Sequence, residues 1–229
     1  MITEAGTAER IKKHMEIRVK DEGAESYEEV MLIYSAALRQ METKLLILND
    51  EFQRVHRYNP IEHIKTRLKT SESIVKKLRR NGYEGTLENM VKHCNDIAGV
   101  RIICSFTSDI YRIADMINNQ GDVRILAIKD YLTEPKSSGY KSYHMIVMIP
   151  VYLSDKIIDT KVEIQIRTIA MDFWASLEHK IQYKFTGDVP EHINAELREC
   201  AEMVTALDQK MLELNNEIHE YKEESERNS

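Results

Sequence analysis

The chain has few cysteines and no long hydrophobic run, and these two absences exclude several classes of protein. The three cysteines, Cys94, Cys104 and Cys200, are widely spaced and form no C-x-x-C pair, which argues against a disulfide framework and against a zinc site. No apolar stretch approaches the roughly 20 residues of a spanning helix. The N-terminus also lacks the apolar centre of a signal peptide. We therefore expect a protein of the reducing cytoplasm that does not enter a membrane.

The chain also lacks the general positive charge of a nucleic-acid-binding surface, because its net charge at pH 7 is −6. DNA is not an expected partner, and any polyanion must bind to a local basic patch. One such patch runs from Lys65 to Arg80, where seven basic residues face a single acid, Glu72. With 31% charged and 42% hydrophobic residues, the overall composition is that of a soluble globular protein.

Apolar periodicity divides the chain into four parts. Residues 1–24 form a polar arm, and residues 25–58 contain a helix whose apolar residues recur at steps of three and four. Residues 59–185 mix short strand and helix patterns. Residues 186–229 open with a breaker and continue as a long helix with a similar apolar seam. The two seams can pack on the core, on each other or across a subunit interface, and the sequence leaves these alternatives open.

The central part predicts an α+β fold around a sheet of about four or five strands. The predicted strands are Gly99–Cys104, Val123–Tyr131, Lys141–Ile149 and Lys161–Arg167. The predicted helices are Ser71–Arg80, Asp109–Asn118 and Ile169–Tyr183.

The strand Lys161–Arg167 has the clearest pattern. Three β-branched apolar residues alternate with four polar ones, which predicts one buried face and one polar face. Glu163 then lies beside Gln165 on the polar face, among basic neighbours. An ordinary antiparallel strand with one solvated face has the same pattern, so this strand indicates a site only together with other signals.

The basic patch surrounds the predicted start of a helix at Ser71, which we expect to cap that helix. Residues on one helix face, or just before the helix, are Arg67, Lys69, Ser73, Lys77 and Arg80. Together with free backbone N–H groups at the helix start, they suit a triphosphate. A solvated helix face is the alternative interpretation of the same run.

Two further segments carry candidate site residues. Asp96 precedes a strand, where a carboxylate close to a second one typically holds Mg²⁺ beside substrate phosphates, although a turn or cap residue is the alternative. Arg101, early in that strand, can stack on a base or lie at the sheet rim. Farther along, Gly139 marks a turn in which Tyr140 offers a flat face for stacking. Two donors flank this turn, Lys136 and His144.

The order of these segments resembles the RelA/SpoT-type alarmone synthetases, specifically the small single-domain enzymes of bacteria. The resemblance spans about residues 30 to 220. The matching segments are Asn59-Pro60-Ile61-Glu62, the basic cluster, Asp96–Arg101, Lys129-Asp130-Tyr131, Ser138–His144, Val162–Thr168 and Met171–Ala175 with Glu178-His179 and Tyr183-Lys184.

The resemblance implies a fold and a reaction. The fold is a polymerase-β-like nucleotidyltransferase core, with a mixed sheet of about five strands, flanking helices and long terminal helices. The reaction moves the β,γ-pyrophosphate of ATP onto the 3′-hydroxyl of GDP or GTP, giving ppGpp or pppGpp and AMP, the alarmones of the stringent response. Because the chain has no His-Asp dipeptide, the hydrolase activity of long family members is not expected.

The resemblance also implies a role for each candidate residue. Arg67 and Arg101 would sandwich the adenine of ATP, and Lys69, Ser73, Lys77 and Arg80 would hold its phosphates. Asp96 and Glu163 would bind Mg²⁺, and Glu163 would also act as general base. Tyr140 would stack on guanine, with Lys129, Lys136, His144 and Gln165 positioning the acceptor nucleotide.

Assembly and regulation follow the family less closely. A homotetramer is the family expectation, and single-stranded RNA is a potential regulator. At the positions of an aromatic residue, a Thr and an Asn that mark the product-activated subgroup, this chain has His63, Lys65 and Asp172. We therefore expect no activation by product and a closer match to the sister subgroup often called RelP. The alternative function is a non-catalytic family member that binds nucleotide or single-stranded RNA.

Overall fold

One mixed sheet lies at the centre of the fold. The computed structural model describes residues 26–55, 58–183 and 189–227. The strands are β1 (Ile61–Leu68), β2 (Ala98–Cys104), β3 (Arg124–Asp130), β4 (Tyr143–Tyr152) and β5 (Ile157–Thr168). They form a five-stranded sheet in the order β1-β2-β5-β4-β3. Strands β2 and β5 are parallel, and every other neighbouring pair is antiparallel.

Helices in the described ranges flank this sheet. They are α1 (Tyr27–Val55), α2 (Ser71–Arg80), α3 (Leu87–His93), α4 (Thr107–Asn118), α5 (Ile169–Tyr183) and α6 (Glu191–Arg227). The structure thus confirms an α+β fold with a mixed sheet and long terminal helices. The predicted arm, residues 1–24, lies outside the described residues, as does most of the predicted breaker that opens the C-terminal part.

The structure corrects one prediction and adds two elements that were not predicted. Thr70, rather than Ser71, caps α2, because its Oγ1 accepts a hydrogen bond of 3.3 Å from the backbone N–H of Ser73. The segment Ile61–Leu68, for which no strand was predicted, is an edge strand paired to β2. Helix α3 was not predicted, since seven residues are too few to show a helical period.

The two terminal helices use their apolar seams differently. Helix α1 packs against the sheet, and its Met41 and Leu45 have no exposed surface. Helix α6 buries Leu197 and Ala201 against α5, but farther along it leaves large apolar side chains exposed, among them Leu207, with 56% of its surface accessible. No helix in the described ranges is both long enough and apolar enough to cross a membrane.

Candidate active site

The sheet register aligns charged and polar side chains across all five strands. The first row pairs Lys65 with Arg101, Arg101 with Gln165, Gln165 with His144 and His144 with Lys129. Cross-strand partners project from the same face of a sheet. Residues predicted for the ATP side and for the acceptor side therefore share one surface.

A second row lies next to the first, on the same face. Arg67 pairs with Gly99, and Gly99 pairs with Glu163. Because Glu163 and Gln165 are two residues apart on β5, they point the same way. The absence of a side chain at Gly99 leaves space between Arg67 and Glu163, the predicted ATP contact and the predicted base.

A cleft of about 640 Å³ opens beside the second row, at the start of α2. Five predicted ATP-binding residues line it together with Asp96, namely Arg67, Lys69, Ser73, Lys77 and Arg80. The sixth, Arg101, is near enough to Arg67 for their charges to interact, and burial together with the charge of Arg167 lowers the pKa of Arg101. The cleft is therefore strongly cationic and holds one acidic side chain near its floor.

Asp96 is that acidic side chain, and two lysines neutralise it. Its carboxylate oxygens lie 2.8 Å from Lys69 Nζ and 2.8 Å from Lys77 Nζ. Burial would raise the pKa of Asp96, but the hydrogen bonds and charges of the two lysines outweigh burial and hold this pKa below its ordinary value. Asp96 is consequently ionised at neutral pH.

Glu163, on the central strand β5, is a second carboxylate, and its charge interacts with that of Asp96. Its Oε2 accepts a hydrogen bond of 2.9 Å from Gln165 Nε2, and its Oε1 lies 3.6 Å from His144 Nδ1. Burial would raise the pKa of Glu163, but these two neighbours lower it below the ordinary value, against a smaller opposing effect of the Asp96 charge. Glu163 is thus an ionised acceptor at neutral pH, held in place from two sides.

The donor set of this region suits a magnesium ion. Within the described residues no group of three or more histidine, cysteine or acidic side chains could hold a metal alone. Asp96 and Glu163 are two carboxylates whose charges interact. Mg²⁺ is typically held by one or two carboxylates together with substrate phosphates and water, so the residues present fit a metal that arrives with a nucleotide.

The predicted acceptor residues surround the turn before β4. Gly139 adopts φ +87°, which allows the chain to turn and present Tyr140. The Tyr140 hydroxyl lies 2.9 Å from His144 Nε2, and Lys136 Nζ lies 4.7 Å from the centroid of the Tyr140 ring. Lys129 is on the exposed edge strand β3, directly opposite His144.

Two residues of this region, Arg167 and Asp172, were not predicted to contact the other site residues. Arg167 is only 5% exposed, and its guanidinium contacts Tyr140, Gln165, Ser142 and Asp172. Asp172 also accepts a hydrogen bond of 3.1 Å from Arg101. The strand pattern placed Arg167 on the polar face, but only the folded arrangement of α5 and the Tyr140 turn shows that this arginine is enclosed.

Comparisons with known proteins agree with this geometry. A family model described as "Region found in RelA / SpoT proteins" matches residues 66–188. The GTP pyrophosphokinase YwaC of Bacillus subtilis is 50% identical over 194 residues, which cover 85% of this chain and 92% of that protein. The crystal structure of B. subtilis small alarmone synthetase 2 matches at 49% identity with a TM-score of 0.77, over 84% of this chain and all of that one. Small alarmone synthetase 1 of B. subtilis, solved with its product pppGpp, matches at 34% identity with a TM-score of 0.78, over 84% of this chain and 97% of that one.

Proposed function

This chain belongs to the RelA/SpoT family, and from that premise we propose that it is a GTP pyrophosphokinase of the small alarmone synthetase type. It transfers the β,γ-pyrophosphate of ATP to the 3′-hydroxyl of GDP or GTP and releases AMP. The observation that carries this proposal is the position of Glu163. This ionised carboxylate lies between a cationic cleft on one side and the Tyr140 turn on the other.

The cationic cleft binds the donor nucleotide in this proposal. Lys69, Lys77 and Arg80 form charge-assisted hydrogen bonds to the triphosphate, and Ser73 adds a hydroxyl beside the start of α2. The guanidinium groups of Arg67 and Arg101, one on each of two paired strands, stack on the adenine. Binding of a triphosphate also gives Lys69 and Lys77 new anionic partners besides Asp96.

The Tyr140 turn binds the acceptor nucleotide. Guanine stacks on the Tyr140 ring, and Lys136, which already lies over that ring, donates to the base. His144, Gln165 and Lys129 lie in one cross-strand row leading away from Tyr140, and they orient the sugar and phosphates.

The transfer step then involves few protein groups. The 3′-oxygen attacks the β-phosphorus of ATP, the bond between that phosphorus and the α,β-bridging oxygen breaks, and AMP leaves. Glu163 accepts the proton of the 3′-hydroxyl. Asp96 and Glu163 would hold Mg²⁺, which when bound neutralises charge on the transferred group and aligns it.

The proposal extends to assembly and regulation. The chain acts in the cytoplasm as a homo-oligomer, a tetramer by family, and the exposed apolar side chains of α6 are the surface that supports association. With His63, Lys65 and Asp172 at the positions noted above, product does not activate the enzyme, as in the RelP subgroup. A titration with pppGpp checks this, because several-fold activation would contradict it. Added single-stranded RNA tests for regulation by RNA in the same assay.

The experiment for the proposed mechanism compares turnover of the wild type with that of Glu163→Gln. We expect turnover of the variant to fall by roughly 10²–10⁴-fold, the usual contribution of a positioned base, with unchanged urea denaturation. Glu88→Gln, an exposed change on α3, is the matched control and keeps full turnover. Near-wild-type turnover of Glu163→Gln would remove Glu163 from the mechanism. Nucleotide binding without turnover in the wild type would favour the non-catalytic alternative.

A further inference from the structure

A buried arginine connects the groups around Glu163. One terminal nitrogen of Arg167 donates to Tyr140 Oη at 2.5 Å and to Gln165 Oε1 at 2.9 Å. The other terminal nitrogen of Arg167 donates to Asp172 Oδ1 at 3.2 Å, and Arg167 Nε donates to Ser142 Oγ at 3.3 Å. With 5% of its surface exposed, Arg167 is enclosed by protein groups and acts through them.

These contacts determine the direction of the hydrogen bonds that reach Glu163. A guanidinium only donates, so the Tyr140 oxygen and Gln165 Oε1 must both accept from Arg167. The amide of Gln165 is thereby oriented with its Nε2 toward Glu163, to which it donates at 2.9 Å.

The same contacts favour one tautomer of His144. Because the Tyr140 oxygen accepts from Arg167, its own proton is available for His144 Nε2, 2.9 Å away. A neutral His144 then carries its proton on Nδ1, the nitrogen that lies 3.6 Å from Glu163. Arg167 therefore influences both groups beside Glu163, namely the Gln165 amide that donates to it and the His144 ring whose Nδ1 lies 3.6 Å from it.

Asp172 contacts both Arg167 and an arginine of the proposed ATP site. Its Oδ1 accepts from Arg167 at 3.2 Å and from Arg101 at 3.1 Å. Arg101 is the residue proposed to stack on the donor base, whereas Tyr140 is the proposed platform for the acceptor base. One carboxylate oxygen thus connects the arginines of the two binding sites.

We propose that Arg167 is a positioning residue for pyrophosphate transfer, which orients Gln165 and His144 toward Glu163 and holds the Tyr140 platform, whereas Arg101 keeps its own hydrogen bond to Asp172 on the donor side. This inference rests on the proposed function for its kinetic consequences. The tautomer expected for His144 is argued from hydrogen-bond contacts and does not depend on the proposed function.

The kinetic test replaces the guanidinium group of Arg167 by the ammonium group of lysine, which keeps the positive charge. Arg167→Lys cannot serve four acceptors in a plane. We expect about a 10–100-fold fall in kcat and about a tenfold rise in KM for GDP, with KM for ATP changed by less than about twofold. Equal changes in both KM values would overturn the inference, because general loosening of the fold has no reason to spare one substrate.

A double-mutant cycle tests the route through the Tyr140 hydroxyl. Tyr140→Phe removes this hydroxyl and keeps the stacking ring. If Arg167 acts through Tyr140, the loss of kcat/KM for GDP in the double variant is at least several-fold smaller than the product of the two single losses. Losses that multiply would contradict the proposal. Thr160→Val is the matched control. It removes a hydrogen bond of 3.2 Å to the Ile158 carbonyl from a buried residue near the other end of β5, so it should lower stability without changing the ratio of the two KM values.

The protonation site of the His144 ring can be measured by NMR without turnover and without the Arg167→Lys variant. In ¹⁵N-histidine-labelled wild type, with His144 assigned by a His144→Asn variant, we expect neutral His144 to be protonated on Nδ1. Tyr140→Phe deletes the hydroxyl beside Nε2, so the ¹⁵N resonance of Nε2 should move toward that of an imidazole nitrogen that accepts no hydrogen bond. An Nε2-protonated wild type, or an unchanged Tyr140→Phe variant, would overturn the inference. A wild type that shows the expected tautomer but forms no AMP would overturn the proposed function alone.

Discussion

Replacing Gly139 by alanine should disturb the acceptor site through a contact with the C-terminal helix. Gly139 has φ +87°, and a Cβ built on it would lie 2.6 Å from the Cβ of Ala201 on α6. Non-bonded carbon atoms do not approach so closely, so either the Gly139 turn or helix α6 must move. Because Tyr140 follows directly, the displacement changes the position of the proposed guanine platform.

The size of the effect can be worked out with a second glycine as reference. Gly82 has φ +80°, but a Cβ there would meet nothing within 4 Å. Alanine at either position incurs the strain of a left-handed conformation, about 1–2 kcal/mol. Alanine at Gly139 adds an overpacking cost of about 1–3 kcal/mol. We therefore expect Gly139→Ala to lower the free energy of unfolding by about 2–5 kcal/mol, and Gly82→Ala by about 1–2 kcal/mol.

The assay is urea denaturation of both variants at one protein concentration, together with KM for GDP and for ATP. Gly139→Ala should raise KM for GDP, whereas Gly82→Ala, in the turn after α2, should not. Equal destabilisation by the two substitutions would show that α6 does not press on the Tyr140 turn, and the reasoning would be refuted. Ala201→Gly in the Gly139→Ala background should recover part of the lost stability, less the cost of about 1 kcal/mol for glycine in a helix.

Two further predictions concern the charged groups. Lys77→Met should raise KM for ATP by about 10–100-fold, because it removes a charge-assisted contact from the cleft. Lys92→Met on α3 is the control and should leave KM for ATP unchanged. Equal KM values for the two variants would argue against the phosphate site. Asp208 is a buried carboxyl whose pKa is raised above 3.8, mainly by burial, despite the hydrogen bond from Thr168. A raised pKa in the folded state means that stability falls as pH rises from 3.8 through the folded pKa. Asp208→Asn keeps the acceptor oxygen for Thr168 but removes the charge. The free energy of unfolding of this variant should therefore rise relative to that of the wild type as pH increases from 4 to 7. A difference between the two proteins that stays constant over this pH range would contradict the raised pKa of Asp208.

Local patterns predicted those parts of the fold that depend on neighbouring residues. The alternation in Lys161–Arg167 was enough to place Glu163 and Gln165 on one face, and the register confirms that shared face. Helix α2 begins and ends where the pattern predicted it, although both Thr70 and Ser71 can cap a helix and the sequence does not distinguish them. Edge strand β1 escaped prediction because its site face is charged and an irregularity near His63 interrupts its period.

The sequence did not predict the long-range contacts of the site, and there is a physical reason for this. Arg167 has the composition of a polar-face residue, and nothing local indicates that Asp172 and Ser142 enclose it. Its burial depends on how α5 returns over the end of β5. The contact between Gly139 and Ala201 likewise joins segments 62 positions apart in the printed sequence. The glycine predicted a turn, but only the position of α6 explains why no side chain fits there.

The measurement that tests the central claim most directly is the identity and ratio of the products formed from ATP and GDP in the presence of Mg²⁺, separated by anion exchange. The account predicts AMP and a guanosine nucleotide pyrophosphorylated at its 3′-position, in equal amounts and without ADP. Release of ADP would mean that a single phosphoryl group is transferred, and the attack on the β-phosphorus would be wrong. Absence of any nucleotide product in a protein that binds both substrates would contradict the enzymatic account as a whole.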